Sequence, residues 1–386
     1  MRIALINSNR KNQKAKIYPP VSLLKIGAWL KSEGNKCELL DNTLPTKKQK
    51  FDEIWITTLF TYDIYYVKAM INSAKKICDK IRVGGISASL FPDFFKMLDV
   101  EVHVGLHPKA ENFAPDYSLL GYKPEFSIAY TSRGCIRKCE FCMVKNLEPE
   151  FRHRDWEKDL SSDTTKVQFY DNNWLAKDMK DWTKDVEKLR RLVEEKRITE
   201  IDFNQSLDCR ILTEEQAKMM QGLPIRPMRF AFDGMQEDKY YQKSVRLTNK
   251  YGFRNYRSNY LYNFNDTPED LYYRLRENVK LSAELKCDVK AFPMKFQPIM
   301  QLDSKKKYVG KNWSRVMLSG FKEILKSHSP NQCVAARSFK EFEYWFGKDK
   351  DEFIKLINYP KIAKLCGKKK EYLQKNRYKL IGRGFS

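Results

Sequence analysis

Short apolar runs alternate with helical patterns along most of this chain, and no other feature restricts its fold as tightly. "RIALIN", residues 2–7, reads as a strand. "PPVSLLKIGAWLKSEGN", residues 19–35, reads as a helix entered through prolines and stopped at Gly34-Asn35. The pattern continues through "KCELLDN", "EIWITTLF", a helix around "VKAMINSAKKICDK", "IRVGGISAS" and "VEVHVG". Strands alternating with helices argue for a doubly wound sheet of mostly parallel strands. Ligands of such sheets sit at the carboxyl ends of the strands, which singles out Asn7, Ser8, Asn9, Thr57, Thr58 and the Gly84-Gly85 turn. The glycine pair alone says little, because a tight strand-to-helix turn needs glycine with no ligand present.

A proline-punctuated stretch, "GLHPKAENFAPDYSLLGYKPEF", marks a domain boundary. The alternation then resumes with "SIAYTSRGC", "TKVQFYDNN", a helix through "DVEKLRRLVEEK", "EIDFNQSLD", "TEEQAKMMQGL", "RFAFDG", "NYLYNFND", "PEDLYYRLRENVKLSAEL" and "VKAFPMKFQP". These make about six β/α units, too few for a closed eight-unit barrel and enough for an open, partial one. The chain has 386 residues, room for two or three domains. No apolar run approaches the roughly 20 residues that cross a bilayer. The opening lacks the apolar core and cleavage site of a signal peptide, so a cytoplasmic protein with no membrane partner is expected.

Nine cysteines are too sparse for a disulfide scaffold, and six of them, Cys37, Cys78, Cys209, Cys287, Cys333 and Cys366, stand singly. The other three fall within "TSRGCIRKCEFCMV", residues 131–144, with spacing C-x3-C-x2-C: Cys135, Cys139 and Cys142. A structural zinc ion takes four Cys/His ligands, usually as two close pairs. His153 is near in sequence, but no second C-x2-C completes such a site. Three thiolates suit a 4Fe–4S cluster better, holding three irons and leaving the fourth open for a substrate.

This triplet, with Phe141 just before its third cysteine and a strand before its first, resembles the radical S-adenosylmethionine (radical SAM) superfamily over roughly residues 126–300. The resemblance implies a 4Fe–4S cluster on the three cysteines. It also implies S-adenosylmethionine chelated to the open iron, a one-electron donor of flavodoxin or ferredoxin type, and a 5′-deoxyadenosyl radical that takes hydrogen from a substrate. Phe141 would lie near the adenine. Asp171, Asn172 and Asn173 stand where the family often meets the methionine amino group, although the more usual Gly-Gly-Glu is absent. Gln205, Asp208 and Arg210 would follow, with Arg210 pairing the carboxylate and Asp208 orienting it. Asn263 and Asn265 fall where the family approaches adenine or ribose; Asp266 and Thr267 read better as caps of the next helix. Met294, Phe296 and Gln297 are candidates for enclosing the pocket, or plain core.

An α/β domain ahead of such a domain resembles the cobalamin-binding class of that superfamily, through "YPPVSLLKIGAWLKSEGNKCELLD" and "VGGISASLFPD". The D-x-H-x-x-G signature is missing, and His103 and His107 in "HVGLH" read as surface or capping residues. The expected fold is thus α/β: a Rossmann-like, cobalamin-binding-like domain over 1–122, a partial (β/α)6 barrel of radical SAM type over 123–300, and a basic, mainly helical region over 301–386. Cobalamin is a candidate third cofactor.

The formal net charge is +23, and the final 26 residues carry nine basic residues against one acidic, interleaved with Tyr372, Tyr378 and Phe385. Three readings stay open. In the first, radical chemistry modifies a nucleic acid gripped by the basic tail. In the second, a cobalamin-dependent methyltransferase acts on a small metabolite or peptide. In the third, a nucleic-acid-binding protein carries a structural or redox-sensing cluster and turns over no S-adenosylmethionine. The oligomeric state is not legible.

Overall fold

Five of the six residues of β1 (Arg2–Asn7) are buried, as a strand covered on both faces requires. The pleat sends them alternately to two cores. Ala4 and Ile6 join Ile54 and Ile56 of β3 (Glu53–Thr57) and Ile64, Val67 and Ile71 of a helix over Ile64–Ala74. Ile3 and Leu5 join Trp55, with Leu23 and Leu30 of a helix over Val21–Ser32, on the opposite face. We label these helices α2 and α1 in chain order. Each of these buried aliphatic side chains contributes roughly 1.5–3 kcal/mol.

With β2 (Lys36–Asp41), β4 (Ile81–Gly84) and β5 (Glu101–Val102), these strands form a parallel sheet in the order β2-β1-β3-β4-β5. The order reverses between β1 and β3, the switch point at which strand ends open a crevice. Short helices α3 (Ile86–Leu90) and α4 (Pro92–Lys96) follow β4.

The computed structural model describes residues 1–9, 18–300, 302, 308–329 and 331–358; the basic tail beyond 358 lies outside the described residues. The chain divides into two compact units, 1–205 with 298–305, and 206–297 with 306 onward. The first unit holds a second parallel sheet, ordered β10-β9-β6 from β6 (Ser127–Ala129), β9 (Lys166–Phe169) and β10 (Glu200–Phe203). Its register sets Ala129 beside Phe169 and Phe169 beside Phe203, so the three strands end level. Between β6 and β9 lie a two-residue antiparallel ladder of β7 (Ser132–Arg133) with β8 (Arg152–His153), and a single-turn helix α5 (Val144–Leu147). Helix α6 (Met179–Glu194) connects β9 to β10.

The second unit contains a parallel sheet in the order β11-β12-β13, from β11 (Met228–Ala231), β12 (Asn255–Tyr262) and β13 (Asp288–Lys295). Helix α7 (Glu214–Met219) precedes it, α8 (Asp238–Lys250) and α9 (Pro268–Leu285) connect its strands, and α10 (Arg315–His328), α11 (Phe339–Phe346) and α12 (Lys350–Asn358) follow. Thr213 and Thr267 each close a capping box at the start of α7 and α9. The core here is partly polar: Tyr241 and Tyr260 both donate to Asn278 Oδ1 at 2.6 Å.

Two elements depart from the sequence reading. Helix α8 was not expected, because its buried seam is Tyr241, Ser244, Val245 and Thr248, correctly spaced but only weakly apolar. The β7–β8 ladder is too short to leave a period. No helix among the described residues is long and apolar enough to cross a membrane.

Candidate functional site

Because β6, β9 and β10 end level, three loops leave one edge of the sheet together. After β6 comes the cysteine loop, after β9 "YDNN", and after β10 Asn204 and Gln205. The cysteine loop is held at its root by Asp171. One carboxylate oxygen accepts Thr131 Oγ1 at 2.7 Å and Ser132 Oγ at 2.6 Å, and the other accepts the Thr131 amide at 3.0 Å. Burial raises the Asp171 carboxyl, against the pull of these donors. Three donors within the protein thus hold this carboxylate, one of the three candidates for the methionine amine. Lys177 adds a bond to the Thr131 carbonyl at 2.9 Å.

Glu148, immediately after α5, ties the two ends of the cysteine loop together. Its Oε2 accepts the Gly134 amide at 2.9 Å and Asn172 Nδ2 at 3.0 Å; Oε1 accepts Arg133 at 3.3 Å. Asn172 is therefore a link from the β9 exit to the loop. Asn173 is buried at the entry to a 3-10 turn over Trp174–Ala176. Gly134 has φ +75°, and a Cβ there would run into the Glu150 carbonyl, so only glycine fits.

Cys135, Cys139, Cys142 and Phe141 are all half-buried on this loop. The Arg137 amide donates to Cys135 Sγ at 3.3 Å. Thiolates around zinc stand about 3.8 Å apart, given Zn–S bonds near 2.3 Å. Among the described residues, three potential ligand atoms lie within 4.8 Å of one another at His153, Asp178 and Asp181. Three thiols on one loop, one of them accepting a backbone amide, are a donor set that a 4Fe–4S cluster can use. His153 is turned to the start of α6, 3.9 Å from Asp178 and 3.6 Å from Asp181. The helix dipole there disfavours a cation, and Lys184 already pairs with Asp181 at 2.8 Å.

At the carboxyl ends of the first sheet, polar side chains tie neighbouring exits together. Ser8 Oγ donates to the Thr57 carbonyl at 2.5 Å, and Asn7 donates to Asp41 at 2.9 Å. Thr58 donates to the Gly84 carbonyl at 2.9 Å and accepts the Ala88 amide at 2.8 Å. Gly85 has φ +103°, and a Cβ would press within 2.8 Å of the Thr58 carbonyl, so the glycine is accounted for by this contact alone. Leu59, Tyr62 and Ile86 are exposed on the same exits. Such an apolar surface beside buried polar strand ends suits the face of a large planar cofactor. Helix α3, which carries Ile86, packs against α5 of the cysteine loop within the same unit. His107 accepts the Ala110 amide at 3.2 Å, a local cap, and stacks on His103 at 5.0 Å.

Gln205 is exposed at the end of the first unit. In the second unit, Asp208 pairs with Arg210 at 2.6 Å, and Glu237 approaches the other side of the guanidinium at 3.3 Å. Asp233, which sequence reasoning missed, accepts the Leu261 amide at 3.0 Å, and its own amide donates to Glu237 at 2.7 Å. Burial, reinforced by Glu237, lifts Asp233 to about 7. Asn263 is fully buried and satisfied by the Phe296 carbonyl and the Gly310 amide. Asn265 is exposed, with its carbonyl accepting Asn312. Asp266 pairs with Arg274, and Thr267 caps α9. Met294 is partly exposed and Phe296 packs on Phe264.

No protein-family model matches the chain, and neither does any curated protein. Solved structures do. One is the radical S-adenosylmethionine methyltransferase TsrM from Kitasatospora setae with cobalamin and a 4Fe–4S cluster bound. It is 13% identical with a TM-score of 0.58, over 77% of this chain and 75% of that one. The same enzyme with tryptophan substrate and the SAM analogue aza-SAM bound is 14% identical, again at 0.58, over 77% and 73%. The chain has the fold of that methyltransferase.

Proposed function

We propose that this protein is a cobalamin-dependent radical SAM methyltransferase. The carrying observation is that α3, at the exits of β3 and β4, packs against α5, which closes the cysteine loop. Two candidate cofactor surfaces therefore adjoin inside one unit. The likeness to TsrM, a methyltransferase that holds both cofactors, supports the same reading. In this reading residues 1–122 form the cobalamin-binding domain. Residues 123–300 form the radical SAM partial barrel, with one parallel sheet of β6, β9 and β10 and another of β11, β12 and β13, and 301–386 form the basic C-terminal region.

When bound, the cluster and the corrinoid supply one-electron and methyl-transfer chemistry that no side chain provides. The chain's own residues bind and orient. Cys135, Cys139 and Cys142 would hold three irons; Asp171 and Glu148 fix the loop that carries them; Phe141 and Asn173 would be contacts for the bound S-adenosylmethionine. Leu59, Tyr62 and Ile86 offer the corrin an apolar, water-excluding face. Gln205, Asp208, Arg210 and Asn265 remain candidates for contacts to S-adenosylmethionine, with a flavodoxin- or ferredoxin-type donor in the cytoplasm.

Anaerobic reconstitution with iron, sulfide and hydroxocobalamin, followed by gel filtration, tests this. Protein fractions are expected to keep about four irons and a corrinoid absorbance, and methyl-labelled S-adenosylmethionine should label that corrinoid. Fractions with iron but no corrinoid would sink the methyltransferase reading. A second reading, a nucleic-acid substrate, is favoured by the charge of +23 alone.

A further inference from the structure

Behind the cysteine loop six charged side chains form one buried network. Arg133 grips Glu111 with two bonds, at 3.0 and 3.1 Å, and Glu148 at 3.3 Å. Arg154 bonds Asp159 at 2.6 Å and approaches Glu111 at 3.1 Å. Lys25, from α1, reaches Asp159 at 3.2 Å and the Glu111 carbonyl at 3.3 Å. Lys25 and Asp159 are 2% and 0% exposed. Arg133 also lies flat on Tyr130, 3.5 Å from the ring centroid. Burial alone would push Glu111 up; Arg133, Lys25 and Arg154 together hold its carboxyl below the usual range. Three cations thus face three carboxylates, and the sum is zero.

Arg133 stands two residues before Cys135, with Cα atoms no more than about 7 Å apart. We infer that this network tunes the reduction potential of the cluster on Cys135, Cys139 and Cys142, with Glu111 and Arg133 as its positioning pair. The inference rests on the cluster assignment made above. Reduction brings one electron from an external donor and no proton, so the reduced cluster carries one more negative charge. A neutral network leaves that charge uncompensated and keeps the potential low. Removing a carboxylate leaves a net cation nearby and favours the reduced form; removing a cation does the opposite. One uncompensated charge in a protein interior shifts such an equilibrium on the order of tenfold, about 59 mV for one electron.

The test is anaerobic potentiometry of the reconstituted full chain, read by electron paramagnetic resonance. Glu111→Gln is expected to raise the midpoint by about that tenfold ratio, Arg133→Gln to lower it, and the double variant to return near wild type. Loss of packing alone would not give opposite signs and cancellation. Shifts of the same sign, or none, overturn the inference. Should Glu111→Gln fail to load iron, Lys25→Gln must lower the midpoint as Arg133→Gln does, and any other result overturns it equally. Wild-type chain that loads no cluster would refute the cluster assignment instead, so the two failures are distinguishable.

Discussion

Gly134 and Asp233 illustrate how single residues carry local demands. At Gly134 a positive φ coincides with contact on the Glu150 carbonyl, so Gly134→Ala suffers both strain and collision. We expect a stability loss of about 2 kcal/mol or more and a drop in retained iron, measured by denaturant melts and iron assay of the same preparation. Asp233 has its carboxyl raised from 3.8 to about 7. In the unfolded chain it ionises near the lower value, so it adds no penalty below pH 4. Between pH 4 and 7 the unfolded state increasingly gains by ionising while the folded state does not, and stability falls. Asp233→Asn keeps an acceptor for the Leu261 amide and removes the titration. It should therefore stabilise the protein at pH 8 by on the order of 4 kcal/mol and leave it nearly unchanged at pH 4. Equal effects at both pH values would refute this origin of the shift.

At the scale of elements, Arg274 of α9 joins parts that share no sequence neighbourhood. It is fully buried, donates to the carbonyls of Phe232 and Leu261 beyond β11 and within β12, and pairs with Asp266 at 2.9 Å ahead of α9. Arg274→Met strands a buried carboxylate and two carbonyls, and we expect a loss of about 3–5 kcal/mol. Adding Asp266→Asn should recover part of it, and a double-mutant cycle measures how much. These ties mark the boundary of what a sequence reveals. The strands of the three parallel sheets are legible because apolar runs of fixed length bounded by turn residues have few alternatives, and the cysteines because their spacing is itself chemistry. Glu111, Glu148 and Lys25 are not legible: one sits in a proline-rich connection, one after a single helical turn, and one amid an apolar helix. Only the fold brings the three to Arg133 and its network. The contacts of Asp171 with Thr131 and Ser132 were not legible either, since these partners stand across a strand pair.

For the whole molecule, the buried network behind the cysteine loop sums to zero while the chain sums to +23. The excess is therefore not spent on holding that site, and nine of its cations fall in the last 26 residues. Two physical accounts separate on salt. If the excess serves a polyanionic substrate, nucleic-acid binding releases counterions, and log affinity falls with log salt at about 0.9 per phosphate neutralised. If it serves only solvation, the small affinity measured is flat. We expect the first behaviour for a short duplex titrated by fluorescence anisotropy between about 50 and 200 mM salt. Replacing Lys368, Lys369 and Lys370 with glutamine should then flatten the slope by up to about 2.7 and leave iron and corrinoid content untouched. A slope unchanged by the triple substitution would move the contact off the tail. A flat wild-type response would remove nucleic acid from the candidate substrates, because a neutral ligand gains nothing from counterion release.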